Sequence, residues 1–232
     1  MSESAMPAVN HIAIIMDGNR RWARKNSLSL LKGHSKGADT LDNIVSVVKQ
    51  RQIPYLTVYA FSTENWQRQQ SETQYLMKLI EKYLKNHIIK NRNTNTNIRI
   101  IGDYATFTSD IVTMIDHVYE HNVAEPDFTL IIALNYGARE EISRAIKDII
   151  SDKISADEVS PELIKGYLDT KCIPDPEIII RTSGEQRLSN FLLWQASYSE
   201  LIFLPVLWPD FDESNLDHAL SIYNKRQRRF GK

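Results

Sequence analysis

Cysteine is almost missing from the 232 residues: Cys172 stands alone, so no internal disulfide can form, and a reducing compartment suits the chain. No stretch reaches the ~18 consecutive apolar residues of a membrane-spanning helix. Met1 to Asn10 lacks the basic region and apolar run of a secretory leader, so a disordered start and a cytoplasmic location are expected. No Gly/Ser-rich or Pro-rich linker divides the chain, and no repeat recurs at a period of roughly 20–50 residues, so residues 11–232 are expected to form one domain. The Gly-x-x-x-x-Gly-Lys-Ser/Thr loop is missing, as are a Gly-x-Gly-x-x-Gly turn, a Gly-x-Ser-x-Gly elbow and any Cys/His metal cluster. Those absences exclude the usual P-loop, dinucleotide and serine-hydrolase sites. Two aspartates are never adjacent. The net charge of −1 gives no general attraction for nucleic acid, and no nucleic-acid partner is expected.

What is present suits a well-packed domain. A chain of this length buries roughly 70% of its unfolded surface, and 42% apolar residues are enough to fill that interior. Charge is unevenly placed, with Arg20, Arg21, Arg24 and Lys25 near the start and Lys225, Arg226, Arg228 and Arg229 near the end. Each cluster reads as a solvated surface or as an anion site.

Short runs of branched apolar residues predict strands at Val9–Met16, Tyr55–Phe61, Ile98–Ile101, Phe128–Leu134, Ile178–Ile180 and Leu201–Leu204. Helical spacing predicts helices at Gly37–Val48, Ser71–Asn91, Thr108–His121, Ala138–Ser151, Pro161–Leu168, Ser189–Tyr198 and Glu213–Arg228. Ser71 followed by Gln74 matches a capping box. Strands alternating with helices predict an α/β domain around a mainly parallel sheet flanked by helices. In such sheets sites form beyond the carboxyl ends of strands.

Three polar constellations follow predicted strands. In Asp17-Gly18-Asn19-Arg20-Arg21-Trp22, the carboxylate can hold a hard cation such as Mg²⁺, the glycine lets backbone approach an anion, and the arginines offer paired donors to phosphate. A capped helix start with solvated arginines is the alternative. Ser62-Thr63-Glu64-Asn65-Trp66-Gln67-Arg68 can order around a ligand, or can be a capped loop whose Trp66 packs on the core. Arg181-Thr-Ser-Gly-Glu-Gln-Arg187-Leu188-Ser189-Asn190, with two arginines, hydroxyls, a glycine and a predicted helix start, can cradle a diphosphate. A structural loop is again the alternative. Glu200, ahead of the last strand, reads as a second acid or as a surface residue.

Taken in order and spacing, these motifs resemble the cis-prenyltransferase family, as in bacterial undecaprenyl diphosphate synthases. The matching text also includes His11-Ile-Ala-Ile-Ile-Met16, Tyr59-Ala-Phe61, Ile100-Ile-Gly-Asp103, Asn135-Tyr-Gly-Ala-Arg139, Ser189-Asn-Phe-Leu-Leu-Trp-Gln195, Trp208-Pro-Asp-Phe-Asp-Glu213 and Arg228-Arg-Phe-Gly231. It spans nearly the whole chain. The resemblance implies repeated cis condensation of isopentenyl diphosphate onto an allylic diphosphate, typically farnesyl diphosphate. The product would be undecaprenyl diphosphate, precursor of the lipid carrier of cell-wall synthesis. It further implies a homodimer, an apolar substrate tunnel and peripheral membrane contact during product release.

By the same resemblance Asp17 holds Mg²⁺ and is the principal catalytic residue, with Asn65 assigned as proton acceptor. Gly18, Asn19, Arg20, Arg21, Trp22 and His34 belong to the allylic site. Ser62, Thr63, Glu64, Trp66 and Arg68 lie on a segment that closes over substrate. Arg181, Arg187, Leu188 and Ser189 belong to the isopentenyl site. Glu200 completes the metal site, from within the chain or from across the dimer. Leu76, Met77, Ile80 and Leu84 are candidate tunnel walls, with core packing as the alternative. Trans-prenyl synthases use Asp-rich motifs, which this chain lacks. Two departures stand out. Leu30 replaces a usual arginine, with Lys25 and Lys32 as the nearest substitutes, and Gln186 stands where many relatives have histidine. The other class of reading, a silent partner subunit of a two-component prenyltransferase, fits less well, because such partners usually lack the Asp17 motif.

Overall fold

The protein is described by a computed structural model over residues 9–90 and 95–226, with side chains described outside 87–90. The expected disordered start therefore lies, up to Ala8, outside the described residues, as do Arg228, Arg229 and the closing Arg-Arg-Phe-Gly motif. Asn10 is described and is tied down, its backbone N–H and side-chain amide both donating to Glu177.

Among the described residues six strands form one sheet: β1 His11–Ile15, β2 Tyr55–Ser62, β3 Thr96–Ile101, β4 Phe128–Tyr136, β5 Ile178–Arg181 and β6 Glu200–Phe203. Their order is β3-β4-β2-β1-β5-β6 and every pairing is parallel. All residues of β1, β4 and β5 are buried, as expected of parallel strands covered on both faces. Alternate residues serve different faces. Ile12, Ile14, Leu56, Val58, Ile178 and Ile180 join one core, while Ala13, Ile15, Ile131, Ala133 and Ile179 join the other.

Seven α-helices occur among the described residues: α1 Asn19–Lys25, α2 Leu30–Gln50, α3 Gln70–Lys90, α4 Ser109–Glu120, α5 Ala138–Ser151, α6 Pro161–Tyr167 and α7 Glu213–Lys225. The first core takes Leu41 and Ile44 from α2, Leu76 and Leu84 from α3, Ile111 and Ile115 from α4, and Leu216 from α7. The second is covered by Ala138 of α5 and by Ile173, Phe191 and Leu192. No helix among the described residues is long and apolar enough to cross a membrane.

Three local expectations need correction. α2 starts at Leu30, not Gly37, because Ser29 caps it through the Lys32 N–H. Gly33 and Gly37 then lie inside the helix, where α1 presses closest. An added Cβ at Gly33 would sit 2.3 Å from the Asn19 carbonyl oxygen, and one at Gly37 2.3 Å from Asn19 Oδ1. Second, α3 opens at Gln70, which puts Ser71 inside its first turn and removes the expected capping box. Third, no helix begins at Ser189. Ser189, Asn190 and Leu192 take left-handed φ values of 49°, 63° and 46°, which no right-handed helix accommodates, and only Gln195–Tyr198 forms a 3₁₀ turn. The segment is held instead by Asn190, whose backbone oxygen accepts from Ala138 N at 2.8 Å and whose Oδ1 accepts from Arg139 N at 3.0 Å.

His11 offers a test of the packing. It is buried in β1, with Nδ1 2.6 Å from the Pro174 carbonyl and Nε2 2.7 Å from Thr57 Oγ1. A carbonyl only accepts, so Nδ1 carries the proton and Nε2 accepts. Burial lowers the imidazole to about 4, against a partial upward pull from the Pro174 carbonyl. The unfolded chain therefore binds a proton near pH 6.5 that the folded chain refuses. The stability contributed is complete above pH 6.5 and is lost as pH falls towards 4, by about 3 kcal/mol in all. Urea unfolding across this range should show the loss, and His11→Gln should flatten the slope by about one proton.

Candidate active site

Because the sheet is parallel, the carboxyl ends of its strands share one edge. There the chain leaves β1 towards β2 on one side and leaves β5 towards β6 on the other, and a crevice opens between. It is a cleft of about 730 Å³.

Asp17 stands at its centre, two residues past β1. Its backbone oxygen accepts from Thr182 Oγ1 at 2.6 Å and from Trp208 N at 3.0 Å, so loops after two different strands fix its position. Its carboxylate Oδ2 accepts from Arg181 Nη2 at 2.9 Å and lies 3.8 Å from Arg21 Nη2. Gly18 follows with φ 116°, a conformation that favours glycine, and Leu207 packs where a side chain would go. Arg181 is only 5% exposed. Its Nη1 donates to Ser189 Oγ at 2.8 Å and to the Arg187 carbonyl, while its buried Nε has no partner. Arg21 also reaches Ser183 Oγ and Glu185.

A second charged cluster closes the far wall. Glu72, buried on α3, accepts from His34 Nε2 and Arg68 Nη1, both at 3.1 Å, and lies 3.8 Å from Arg20 Nε. Burial lowers the His34 pKa against the upward pull of Glu72, so the ring is neutral at pH 7. Burial pushes Glu72 up, but the His34 hydrogen bond and the Arg68 and Arg20 charges outweigh it and hold the carboxyl below its usual range. Glu72 was not foreseen. Its signal was the Arg68/Glu72 spacing of four residues at a helix start.

Residues 63–67 form a 3₁₀ turn capped reciprocally by Ser62 and Asn65, with Ser62 N donating to Asn65 Oδ1 at 3.3 Å. Trp66 Nε1 donates to Asn135 Oδ1 at 2.8 Å, and its ring meets Phe61 and Phe107. Asn135 in turn donates to the Asp103 carbonyl and to Thr106 Oγ1.

Of the residues named from sequence, the cleft gathers Asp17, Gly18, Asn19, Arg20, Arg21, His34, Ser62, Glu64, Asn65, Arg68, Arg181 and Ser189. Arg24 and Tyr59 also line it. Tyr59, whose hydroxyl donates to the Tyr136 carbonyl, keeps its proton because burial raises its pKa. Five arginines face two lining carboxylates, Asp17 and Glu64, so a strongly cationic hollow sits in a chain of net charge −1. Neither Lys25 nor Lys32 lines it, whereas Arg24 does.

Thr63, Trp66, Trp22, Arg187, Leu188 and Glu200 do not line the cleft. Trp22 instead ties α1 to the 208–210 turn through Asp210 Oδ1 at 2.6 Å. Arg187 is exposed, paired with Glu185, and contributes its carbonyl to Arg181. Leu188 packs against the second core. Glu200 lies farthest from the cleft. It opens β6 beside Ile178 and pairs with Arg226, whereas Asp17 lies past the other end of β1. About five strand residues, roughly 16 Å, separate the two levels, so one chain cannot bring both carboxylates to one cation.

An apolar hollow of about 100 Å³ adjoins the cleft, sharing Met16, Asn19, His34, Ala60 and Leu76 with it. It runs between α2 and α3 past Ile80 and Leu84 towards Tyr83 and Trp208. Met77 lies elsewhere, packed on the first core.

The family profile described as "Putative undecaprenyl diphosphate synthase" matches residues 15–231. The chain belongs to this prenyltransferase family. It is 43% identical to an isoprenyl transferase of Agrobacterium fabrum, over 99% of this chain and 94% of that one. It is 45% identical to an isoprenyl transferase of Clostridium perfringens, over 99% and 91%. Among solved structures, lavandulyl diphosphate synthase of Lavandula x intermedia, in complex with dimethylallyl diphosphate, matches with TM-score 0.90 and 32% identity over 97% of this chain and 98% of that one. A "probable undecaprenyl diphosphate synthase" of Campylobacter jejuni matches with TM-score 0.83 and 32% identity over 98% and 100%. The protein is a prenyltransferase of the isoprenyl transferase group, with the single-sheet α/β fold of that family.

Within this prenyltransferase, Glu72→Gln should expose the role of the buried anion. His34 loses the partner that raises its pKa, so its imidazole should titrate lower by NMR. Urea unfolding should show a loss of about 1–3 kcal/mol from the two weakened charge-assisted bonds. An unchanged His34 titration removes Glu72 from the electrostatics of the site.

Proposed function

We propose that this prenyltransferase condenses isopentenyl diphosphate repeatedly onto farnesyl diphosphate, with cis double bonds, to give undecaprenyl diphosphate. The observation that carries the reading is Arg181: a buried guanidinium on the cleft wall, beside Asp17, with its Nε unmet. Buried polar groups rarely stay unpaired, and a diphosphate oxygen in the cleft is a fitting acceptor. The structural relative crystallised with dimethylallyl diphosphate supports an allylic diphosphate in this fold.

In each cycle the allylic carbon–oxygen bond breaks and diphosphate leaves. The allylic carbon bonds to the terminal alkene carbon of isopentenyl diphosphate, which then loses one proton. Charge grows on the departing oxygens, and Arg20, Arg21 and Arg68, each held by an anion, stand preorganised to stabilise it, with Arg24 lining the same cleft. Asn65, a neutral amide, is a poor base; with its Oδ1 occupied by Ser62 N, it orients the path of the departing proton. Closure of the 62–68 segment excludes water that would trap the allylic cation. The hollow between α2 and α3 starts the tunnel for the growing tail, at about 0.8 kcal/mol per buried CH₂.

Asp17 fits a Mg²⁺ ion only in part. Among the described residues no group of three His, Cys, Asp or Glu side chains could hold a metal. One carboxylate, with diphosphate oxygens completing the shell, is a usual arrangement for Mg²⁺. The ion would supply further neutralisation of the leaving diphosphate. Glu200 then belongs to the site of a second subunit in a homodimer. The enzyme works in the cytoplasm, with contact to the membrane's inner face at product release.

Purified protein incubated with farnesyl diphosphate, labelled isopentenyl diphosphate and Mg²⁺ should form butanol-extractable lipid of eleven isoprene units. No lipid under any detergent condition defeats the reading. Asp17→Ala should abolish turnover with an unchanged circular dichroism spectrum. Mixing Asp17→Ala with Glu200→Ala subunits tests the dimer. A site shared between chains should recover roughly a quarter of wild-type activity in randomly exchanged dimers, and a site within one chain should recover none.

A further inference from the structure

From Gly18 to Ala38 the chain carries six cations and no aspartate or glutamate. The structure divides the six. Arg20, Arg21 and Arg24 line the cleft. Lys25, Lys32 and Lys36 are exposed outside it, and no side-chain partner meets their ammonium groups among the described residues. Between the lysines the chain turns from α1 into α2 through Ser27, at φ 55°. The turn presents Leu28 and Leu31, 46% and 37% exposed, with Leu30 half-buried beside them. Arg24 places this ridge on the rim of the cleft.

A free diphosphate has no use for exposed leucines, and a neutral apolar partner has none for unpaired lysines. A surface that is apolar beneath and anionic above uses both. We infer that residues 25–36 form a docking ridge for an anionic phospholipid surface, with Leu28 and Leu31 entering the interface and Lys25, Lys32 and Lys36 lying on the headgroups. The ridge sets the rim of the cleft against lipid. The ridge rests on and deepens the membrane contact of the proposed function; because it needs no substrate, its test fails or succeeds separately from the condensation reading.

The full chain, without substrate, would be sedimented with vesicles of phosphatidylcholine containing about 30% phosphatidylglycerol, and with vesicles of phosphatidylcholine alone. Binding to the anionic vesicles is expected, falling with added salt, and little to the neutral ones. Lys25→Gln, Lys32→Gln and Lys36→Gln together should weaken it by roughly fivefold for each cation removed. Leu28→Ser with Leu31→Ser, on an exposed turn, should weaken it independently. The inference fails if wild-type protein ignores anionic vesicles, binds both kinds equally, or keeps its binding in both variants. It fails equally if inorganic diphosphate abolishes binding while the ridge variants bind normally, which assigns the attraction to the cleft arginines. A shift of the leucine variant in lipid-free ultracentrifugation, with vesicle binding unchanged, assigns the ridge to a second copy of the chain.

Discussion

A guanidinium taken out of water must be met by acceptors, and Arg181 is nearly out of water. Its partners come from different parts of the chain: the carboxylate of Asp17 beyond β1, the hydroxyl of Ser189 and the carbonyl of Arg187. The pairing of β1 with β5, which sets Ile15 beside Arg181, is what makes this meeting possible. A slip of one residue would turn Arg181 to the opposite face of the sheet and leave Asp17 without its partner. The left-handed Ser189, Asn190 and Leu192 follow from the same demand, since a helix there would carry Ser189 and the Arg187 carbonyl away from the guanidinium.

The opposite wall repeats the device with other residues. Glu72 holds Arg68, Arg20 and neutral His34 from behind, as Asp17 holds Arg181 and Arg21. In each case an anion keeps long, cationic side chains ordered before any ligand arrives. Ordered cations lose less freedom when a polyanion binds, and they concentrate positive potential in a cleft whose walls are partly apolar. The apolar hollow beside them gives one continuous surface that is cationic at one end and hydrocarbon at the other.

Strands were legible because parallel strands buried on both faces must be short, branched and apolar. The runs at Ile12–Ile15, Phe128–Leu134 and Ile178–Ile180 could hardly have been anything else. Asp17 and Arg181 were legible because chemistry gathers where such strands end. Less visible was whatever depended on a partner distant in sequence. The helix expected from Gly37 begins instead at Leu30, and Gly33 and Gly37 inside it let α1 approach α2. Beyond its spacing from Arg68, nothing in its own neighbourhood singles out Glu72, whose role depends on His34, 38 residues away in the chain. Trp22 and Arg187 sit inside matching motifs and still do not line the cleft, because a motif records neighbours along the chain and not the direction of a side chain. Glu200 follows the same logic at larger scale: its place at the amino end of β6 depends on strand register, which residue types alone do not carry.

The central position of β1 has a consequence for the newborn chain. β1 is made before the other five strands of this sheet, yet one of its edges stays bare until β5 has been made, far along the sequence. At a typical rate of synthesis that wait lasts roughly ten to thirty seconds. Through that interval a run of isoleucines offers an unpaired row of backbone groups to any passing strand. An early segment so exposed is a natural client for a chaperone that holds nascent chains, until Arg181 arrives to close the seam.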